Sequence, residues 1–328
     1  MKKIFVSLFM VLSLCLGLTT PTFAVTTADN TSDSFESIAS TLTDSDSISA
    51  FLDNNETTQT VEISERDMVS EMLSENIITR DDLNSELLDL STHSEYDLQK
   101  LGYNSRQIET IKSYKAGSDA FSHIFSPTST YANNTRLVFR YGLAGNNTRK
   151  TVLIAYDMQW TEKPTYTYPD SFAIGWLAAD SNSHRVLTKI DSCVASVQYK
   201  YNDGTPITDG SGNKKTVDLV QNQAAYVTGS FPLKYDYKGD KYGQQISGCT
   251  QISTQSDSYN ISTVQLFVCY AHSVASLSLD SVTISVKATE INVTFDLNHK
   301  KEQVKLVDTS HTFAYNDQDV IVEIGYSN

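Results

Sequence analysis

The sequence predicts an α+β protein divided by domain: an N-terminal module of short helices, then an all-β antiparallel sandwich or jelly-roll-like domain. Three observations carry that expectation. Helix-capping signals recur between Ser64 and Gln107, period-two apolar runs separated by turn residues fill the chain from Thr135 onward, and negative charge is concentrated ahead of those runs. From Val25 to Ala120 there are 20 acidic and 6 basic residues, whereas Phe121 to Asn328 holds 19 and 17. So unequal a split implies two regions with different surfaces.

Residues 1–24 read as a secretory signal peptide. Lys2 and Lys3 supply a positive start, Ile4 to Leu18 an apolar core, and Thr22-Phe23-Ala24 a small-x-small cleavage site. Cys15 follows Leu14, whereas a lipoprotein signal places a small residue there, so an exported chain beginning near Val25 is expected rather than a lipid-anchored one. No later apolar run reaches the length of a membrane-spanning helix. The expected location is therefore secreted, extracellular. The acidic balance, with no basic stripe, argues against nucleic acid or an anionic membrane as partner.

Residues 25–60 are rich in Ser, Thr and Asp and read as a flexible acidic leader, with a short helix around Phe35 to Leu42. Residues 61–116 read as an acidic helical module. Its helix starts are Ser64 with Asp67, Thr79 with Asp82, Ser94 with Asp97, and Asn104 with Gln107, each a capping side chain followed three residues later by a reciprocal partner. Leu98 to Lys112, with Gly102 between two helical patterns, describes a tight helix-turn-helix corner; in an acidic exported chain this is a packing or docking device rather than a DNA reader. Residues 117–134, with Gly117, Pro127 and Asn133-Asn134, read as a linker.

Residues 135–328 read as the sandwich. Strand patterns include Leu137 to Tyr141, Val152 to Trp160, Phe172 to Ala178, Val186 to Ile190, Cys193 to Tyr201, Val217 to Val227, Ile246 to Ile252, Val264 to Ala271, Val282 to Val286, Ile291 to Leu297 and Val320 to Tyr326. The run Thr151 to Trp176 holds both tryptophans. Its two strand patterns are expected to bury one face each and to pair as a hairpin, Trp160 opposite Phe172 and Tyr156 opposite Trp176. Between Ala275 and Leu297 the apolar phase flips at Asp280-Ser281 and Thr289-Glu290, which marks turns or bulges.

Motifs that carry a mechanism are missing from the sequence: HExxH, the P-loop, GxGxxG, GxSxG and CxxC do not occur. The histidines, His93, His123, His184, His272, His299 and His311, are scattered singly, so no catalytic residue, metal ligand or cofactor is expected. Asp209, Ser211 and Asn213 imitate a calcium loop, but Lys214 stands where the bend glycine belongs, and a hairpin turn is the better reading. Cys193 or Cys269 with His272 gives a nucleophile and base on paper, and Asp157 with Asp170 a glycosidase pair if the loop brings them together. By strand parity Cys249 and Cys269 fall outside the main core, so a Cys249–Cys269 disulfide is expected, with Cys193 a buried thiol.

What remains is aromatic surface. Tyr166, Tyr168, Tyr235, Tyr237 and Tyr242 lie among Pro, Gly, Lys and Asp and are the candidate ligand-binding residues, for a glycan or a surface protein. Tyr156, Trp160, Pro164, Asp170, Ala173 and Trp176 form an aromatic strand, a Pro-containing loop and an Asp-x-x-Ala-x-x-Trp strand. This pattern, over some 25 residues, resembles a signature of uncharacterised exported proteins of Gram-positive bacteria. The resemblance implies class and location and adds no mechanism. The leading expectation is a secreted, non-enzymatic β-sandwich that binds a ligand or partner; the alternative is a β-pore-forming toxin, motivated by the alternating run from Ala275 to Leu297; a glycan-active enzyme is third.

Overall fold

The computed structural model describes residues 32–74, 76, 78–101, 103–126, 135–166, 169–201, 214–222, 225–233, 241–272, 279–286, 291–297, 300–302 and 307–324. The expected signal peptide (residues 1–24), Gly102, Tyr168, Tyr235, Tyr237, Thr289-Glu290 and the calcium-like Asp209–Asn213 stretch lie outside those residues.

The chain opens with α1 (Ser32–Thr41), α2 (Ser45–Asn54) and β1 (Gln59–Ser64), continues through α3 (Glu65–Ser74), α4 (Arg80–Thr92), α5 (Glu95–Lys100) and α6 (Ser105–Ser113), and closes its helical part with α7 (Ala120–Ile124). The strands follow: β2 (Arg136–Gly145), β3 (Thr151–Trp160), β4 (Asp170–Ala179), β5 (Arg185–Val186), β6 (Thr188–Tyr201), β7 (Lys214–Thr216), β8 (Leu219–Asn222), β9 (Tyr226–Phe231), β10 (Lys241–Thr254), β11 (Thr263–Ala271), β12 (Leu279–Val286), β13 (Ile291–Leu297), β14 (Lys300–Glu302), β15 (Val307–Tyr315) and β16 (Ile321–Glu323). Sheet A runs β1-β2-β3-β10-β6-β7, sheet B runs β16-β15-β11-β4-β9-β8 with β5 beside β4, and β12-β13-β14 form a third sheet. All described pairings are antiparallel, and the α+β class holds.

The alternation along the strands sets the core. Val152, Ile154, Tyr156, Met158 and Trp160 on β3 and Phe172, Ile174, Trp176 and Ala178 on β4 are all buried, both tryptophans at 1% exposure. They do not pair as a hairpin. β3 lies between β2 and β10 in sheet A and β4 between β11 and β9 in sheet B, so the Pro loop carries the chain from one sheet to the other. Tyr156 meets the Phe172 ring across the sandwich at 5.6 Å rather than Trp176 along a ladder. Gly248 makes room for that packing, since a Cβ there would stand 2.3 Å from the Tyr156 ring. Each indole finds a hydrogen-bond acceptor, Trp160 on the Tyr270 hydroxyl at 3.2 Å and Trp176 on Thr188 Oγ1 at 2.8 Å.

All the expected helix starts form as caps. Thr79 with Asp82 and Asn104 with Gln107 are reciprocal capping boxes; the side chains of Ser64 and Ser94 accept from the N–H groups of Asp67 and Asp97. Behind them Met68, Val69, Met72, Leu83, Leu87, Leu98, Ile108 and Ile111 join one continuous core with the inward residues of both sheets. The helical module is thus fused to the sandwich rather than standing apart from it.

The short helix expected around Phe35 to Leu42 forms as α1, and the leader is also structured beyond it, where a flexible stretch is expected. Asp44 and Ser47 form a capping box that starts α2, and Phe35, Leu42, Ile48 and Leu52 pack on Leu153, Ala155 and Cys249 on the outer face of sheet A. β1 then adds an edge strand to β2, with Val61 opposite Phe139 and Ile63 opposite Leu137. β15, whose sequence VDTSHTFAY is largely polar, joins sheet B without having been expected. Val186 and Cys193 belong to successive strands in different sheets, β5 beside β4 and the long β6 beside β10, and the Val217 to Val227 run divides into β8 and β9. The β12–β13 ladder shifts register between Leu279 and Ser281, where the phase flip marks a turn or bulge.

Candidate functional site

The densest gathering of titratable groups is sealed where the helical module, the Pro loop and both sheets meet. Glu65 is the first residue of α3 and is 1% exposed. Its carboxylate accepts from the Thr165 N–H at 2.7 Å, the Tyr166 N–H at 3.2 Å and the Thr165 hydroxyl at 3.1 Å, so it holds the Pro loop by its backbone. Tyr103 and Gln107 from the α5–α6 corner grip the same loop, donating to the Thr165 and Lys163 carbonyls at 2.6 and 2.9 Å. The helix-turn-helix corner serves packing.

Asp170 begins β4 just beyond the loop, and His272 follows β11. Asp170 accepts from the Tyr270 hydroxyl, and His272 Nδ1 lies 3.0 Å from Asp170 Oδ1. On its other side His272 Nε2 stands 3.6 Å from Glu65 Oε1, an electrostatic contact longer than a hydrogen bond, and the imidazole leans on the Trp160 ring at 4.9 Å. Burial pushes the imidazolium toward losing its proton; the Asp170 and Glu65 carboxylates outweigh burial and hold its pKa up at about 9. His272 is therefore held protonated at neutral pH between the side chains of Asp170 and Glu65. Tyr270 is pushed well above the usual phenol range by burial and by Asp170.

A carboxylate that orients Nδ1 is also the arrangement of a general base. Here Nε2 faces Glu65, and His272, Asp170 and Glu65 are each 1% exposed or less, so the proton is held in place rather than delivered. Asp170 and His272 are brought together, but with each other and with Glu65, not with Asp157 or Cys269. Nothing in the sequence around Glu65 singles it out, because a carboxylate in the first turn of a helix is ordinarily a solvated dipole partner.

Asp157 faces the other way. It points out of sheet A beneath α2, where Arg140 grips it with two nitrogens and also pairs with Asp53, while Ser49 donates to Asp157 Oδ2 at 3.1 Å. Asp157 thus faces outward from sheet A under α2, whereas Asp170 starts a strand of sheet B and is bound to Tyr270 and His272, so the expected glycosidase pair is not brought together.

The expected tyrosine surface is also corrected where it is described. Tyr166 is 1% exposed, its backbone N–H held by Glu65, and burial raises its pKa well above the usual range. Tyr242 is 5% exposed and pushed up to about 12 by burial. Both rings fill core. Cys249 and Cys269 are not joined, since they belong to different sheets: Cys249 lies under α1 and α2 on the outer face of sheet A, and Cys269 pairs with Ala173 and Asp308 within sheet B. Parity sets both out of phase with the inward-facing residues, but Cys249 joins the cluster beneath α1 and α2 whereas Cys269 joins the main core. Burial raises the Cys249 thiol to about 12, and Cys193 is half-buried rather than enclosed.

Directly beside the sealed cluster, the surface opens as a polar recess of about 300 Å³ lined by Glu62, Ser64, Arg66, Asp67 and Arg136. Arg136 pairs with Glu62 at 3.1 Å, and Ser64 caps α3 through Asp67. Charges of both signs thus meet solvent at the junction of β1, α3 and β2. Among the described residues no helix is long and apolar enough to cross a membrane, and no group of three or more His, Cys, Asp and Glu is arranged to hold a metal ion.

No protein-family model and no curated protein sequence matches the chain. Among solved structures it is similar to the KRT10-binding region domain of the pneumococcal serine rich repeat protein PsrP, at 8% identity over 44% of this chain and 80% of that one, TM-score 0.22. It is similar to a collagen-binding domain from a Staphylococcus aureus adhesin, at 7% identity over 52% and 95%, TM-score 0.23. A third similarity is to AvmM, which catalyses macrocyclization in alchivemycin A biosynthesis, at 6% identity over 57% and 90%, TM-score 0.26. Similarity at this level assigns neither function nor partner.

Proposed function

We propose that the chain is an exported protein of Gram-positive type whose sandwich binds a ligand or surface partner outside the cell and carries out no chemistry on it. The carrying observation is the contrast between its two groups of polar residues. The residues with catalytic potential, Glu65, Asp170 and His272, are consumed in holding the fold, while the recess at Glu62, Ser64, Arg66, Asp67 and Arg136 presents paired charges to solvent. A recess of that chemistry suits a partner with both anionic and hydrogen-bonding groups, such as an acidic glycan or a polar protein loop. The charged stretch ahead of an apolar core in residues 1–24 supports export.

The test is retention of purified 25–328 on glycan and surface-protein arrays, alongside the Arg66→Glu and Arg136→Glu double variant. Binding to one class, weakened at least about tenfold in the variant, is expected. Turnover of a glycan or peptide by the purified chain contradicts the reading.

One observation favours a second reading, membrane insertion of a hairpin. The β12–β13 register sets Val282 opposite Phe295, Ile284 opposite Val293 and Val286 opposite Ile291, alternating with Ser281–Asp296, Thr283–Thr294 and Ser285–Asn292. Alternation in register is what a pore-lining hairpin requires. Dye release from liposomes decides it, and intact vesicles at every protein concentration remove it.

A further inference from the structure

We infer that the outer edge of β1 pairs with the same edge of a second copy of the chain, joining the two copies of sheet A into one antiparallel sheet across a two-fold axis at Val61. The inference does not rest on what the recess binds.

β1 is the outermost strand of sheet A and pairs with β2 over all six residues from Gln59 to Ser64 without a register shift. Its other side has no partner strand, and its residues make no further backbone hydrogen bond to any described residue. A bare edge is a template for another strand, and folded chains ordinarily blunt it with brevity, lysine, proline or a bulge. The remaining edges of the two main sheets are blunted in this way. β7 has three residues, two of them Lys214 and Lys215, β16 has three and β8 has four. β1 is longer, regular, and reads QTVEIS, with no Lys, Pro or Gly. It is also held ready. Gln59 donates to Glu323 Oε2 of β16 at 2.6 Å, and just past the strand the Glu65 N–H donates to the Thr135 carbonyl at 3.1 Å. With both ends pinned inside the protomer, pairing orders little that is not already ordered.

The strand is its own complement. Opposed residues of paired strands share a face, so antiparallel pairing of β1 with itself must centre on a residue. Val61 and Ile63 are half-buried against the core, while Thr60 and Glu62 are exposed on the opposite face. Centring on Glu62 sets two carboxylates against each other, which is unfavourable. Centring on Val61 sets Val61 against Val61 and, at two symmetric places, Thr60 against Glu62, which gives each carboxylate a hydroxyl donor. Glu62 is the one charge on the strand and is matched within its protomer by Arg136 at 3.1 Å, so the two edges meet without net repulsion. Pairing also covers the half-exposed rims of Val61 and Ile63.

Sedimentation velocity of chain 25–328 tests this in about 0.15 M salt, which screens the net negative charge. A monomer–dimer equilibrium is expected between about 1 and 100 µM. Thr60→Asp sets a carboxylate against Glu62 of the second copy twice and is expected to weaken the dimer about tenfold, whereas Thr60→Lys sets an ammonium there and keeps or tightens it. Thr60 is exposed, so both variants leave the core intact. Val61→Cys is expected to give a disulfide-linked dimer on mild oxidation that the parent chain, with Cys193, Cys249 and Cys269, does not give. A parent chain that stays monomeric across that range, equal effects of the Asp and Lys variants, or no cross-link beyond the parent's overturns the inference, whatever the arrays report for the recess.

Discussion

Helices α3 to α6 and helices α1 and α2 both precede the sandwich in an acidic stretch of chain, yet they meet it on different terms. The first set enters the main core through Met68, Leu83, Leu98 and Ile108 and is riveted by Glu65 to the Pro loop and to His272. The second lies on an outer face with four large buried side chains, Phe35, Leu42, Ile48 and Leu52, and a few exposed or half-exposed polar contacts. Burying such a side chain stabilises by about 1.5 to 3 kcal/mol, before the entropy of ordering 23 residues is subtracted. Composition alone does not separate these regions; what separates them is whether a helix closes the core or covers a sheet already closed.

The contrast can be broken most forcefully at His272. Replacing it by Leu leaves Glu65 and Asp170 buried without their cation, and a loss of about 3 to 5 kcal/mol in urea unfolding is expected. A loss under about 1 kcal/mol shows that the cluster does not rivet the module. The parent chain makes the same point through pH. His272 has its folded-state pKa raised to about 9 from an ordinary 6.5, so its stabilisation is complete below about pH 6.5 and is lost as pH rises through about 9. The unfolding free energy from urea titrations is expected to fall by on the order of a few kcal/mol across that window, and a His272→Gln chain is expected to lose that slope.

Smaller effects sharpen the other side. Leu52→Ala removes about 2 to 3 kcal/mol from the seating of α2, but it should register as easier proteolysis ahead of β1 with the main unfolding transition nearly unmoved. Ser49→Ala, which deletes one of several donors to Asp157, should cost about 1 kcal/mol in the same proteolysis assay, because Arg140 and Gln245 still satisfy the carboxylate. A shift of the main transition by the full amount in either variant would place α1–α2 inside the cooperative core.

Much of this division is legible in the sequence and part of it is not. The caps at Thr79 and Asn104 can be read because a capping box is settled within four residues. Period two identifies which residues of β3 and β4 are buried, but it specifies a face and not a partner strand, so the hairpin expected between them is two sheets instead. Tyr166 sits in a polar, Pro-containing loop that composition assigns to the surface. Its backbone is held by Glu65, a residue 101 positions earlier, and no local pattern carries that information. Helix α2 escapes the sequence for the opposite reason: its apolar residues are few, but Ile48 and Leu52 are four apart and both land on the sheet.

Native-state hydrogen exchange of the whole chain tests the division most directly. Amides of α1 and α2 are expected to exchange through a local opening well below the free energy of global unfolding, while those of Met68, Leu87 and Ile108 exchange only with the sandwich. Equal protection of the two sets, or opening of α3 to α6 ahead of α1 and α2, would contradict the account.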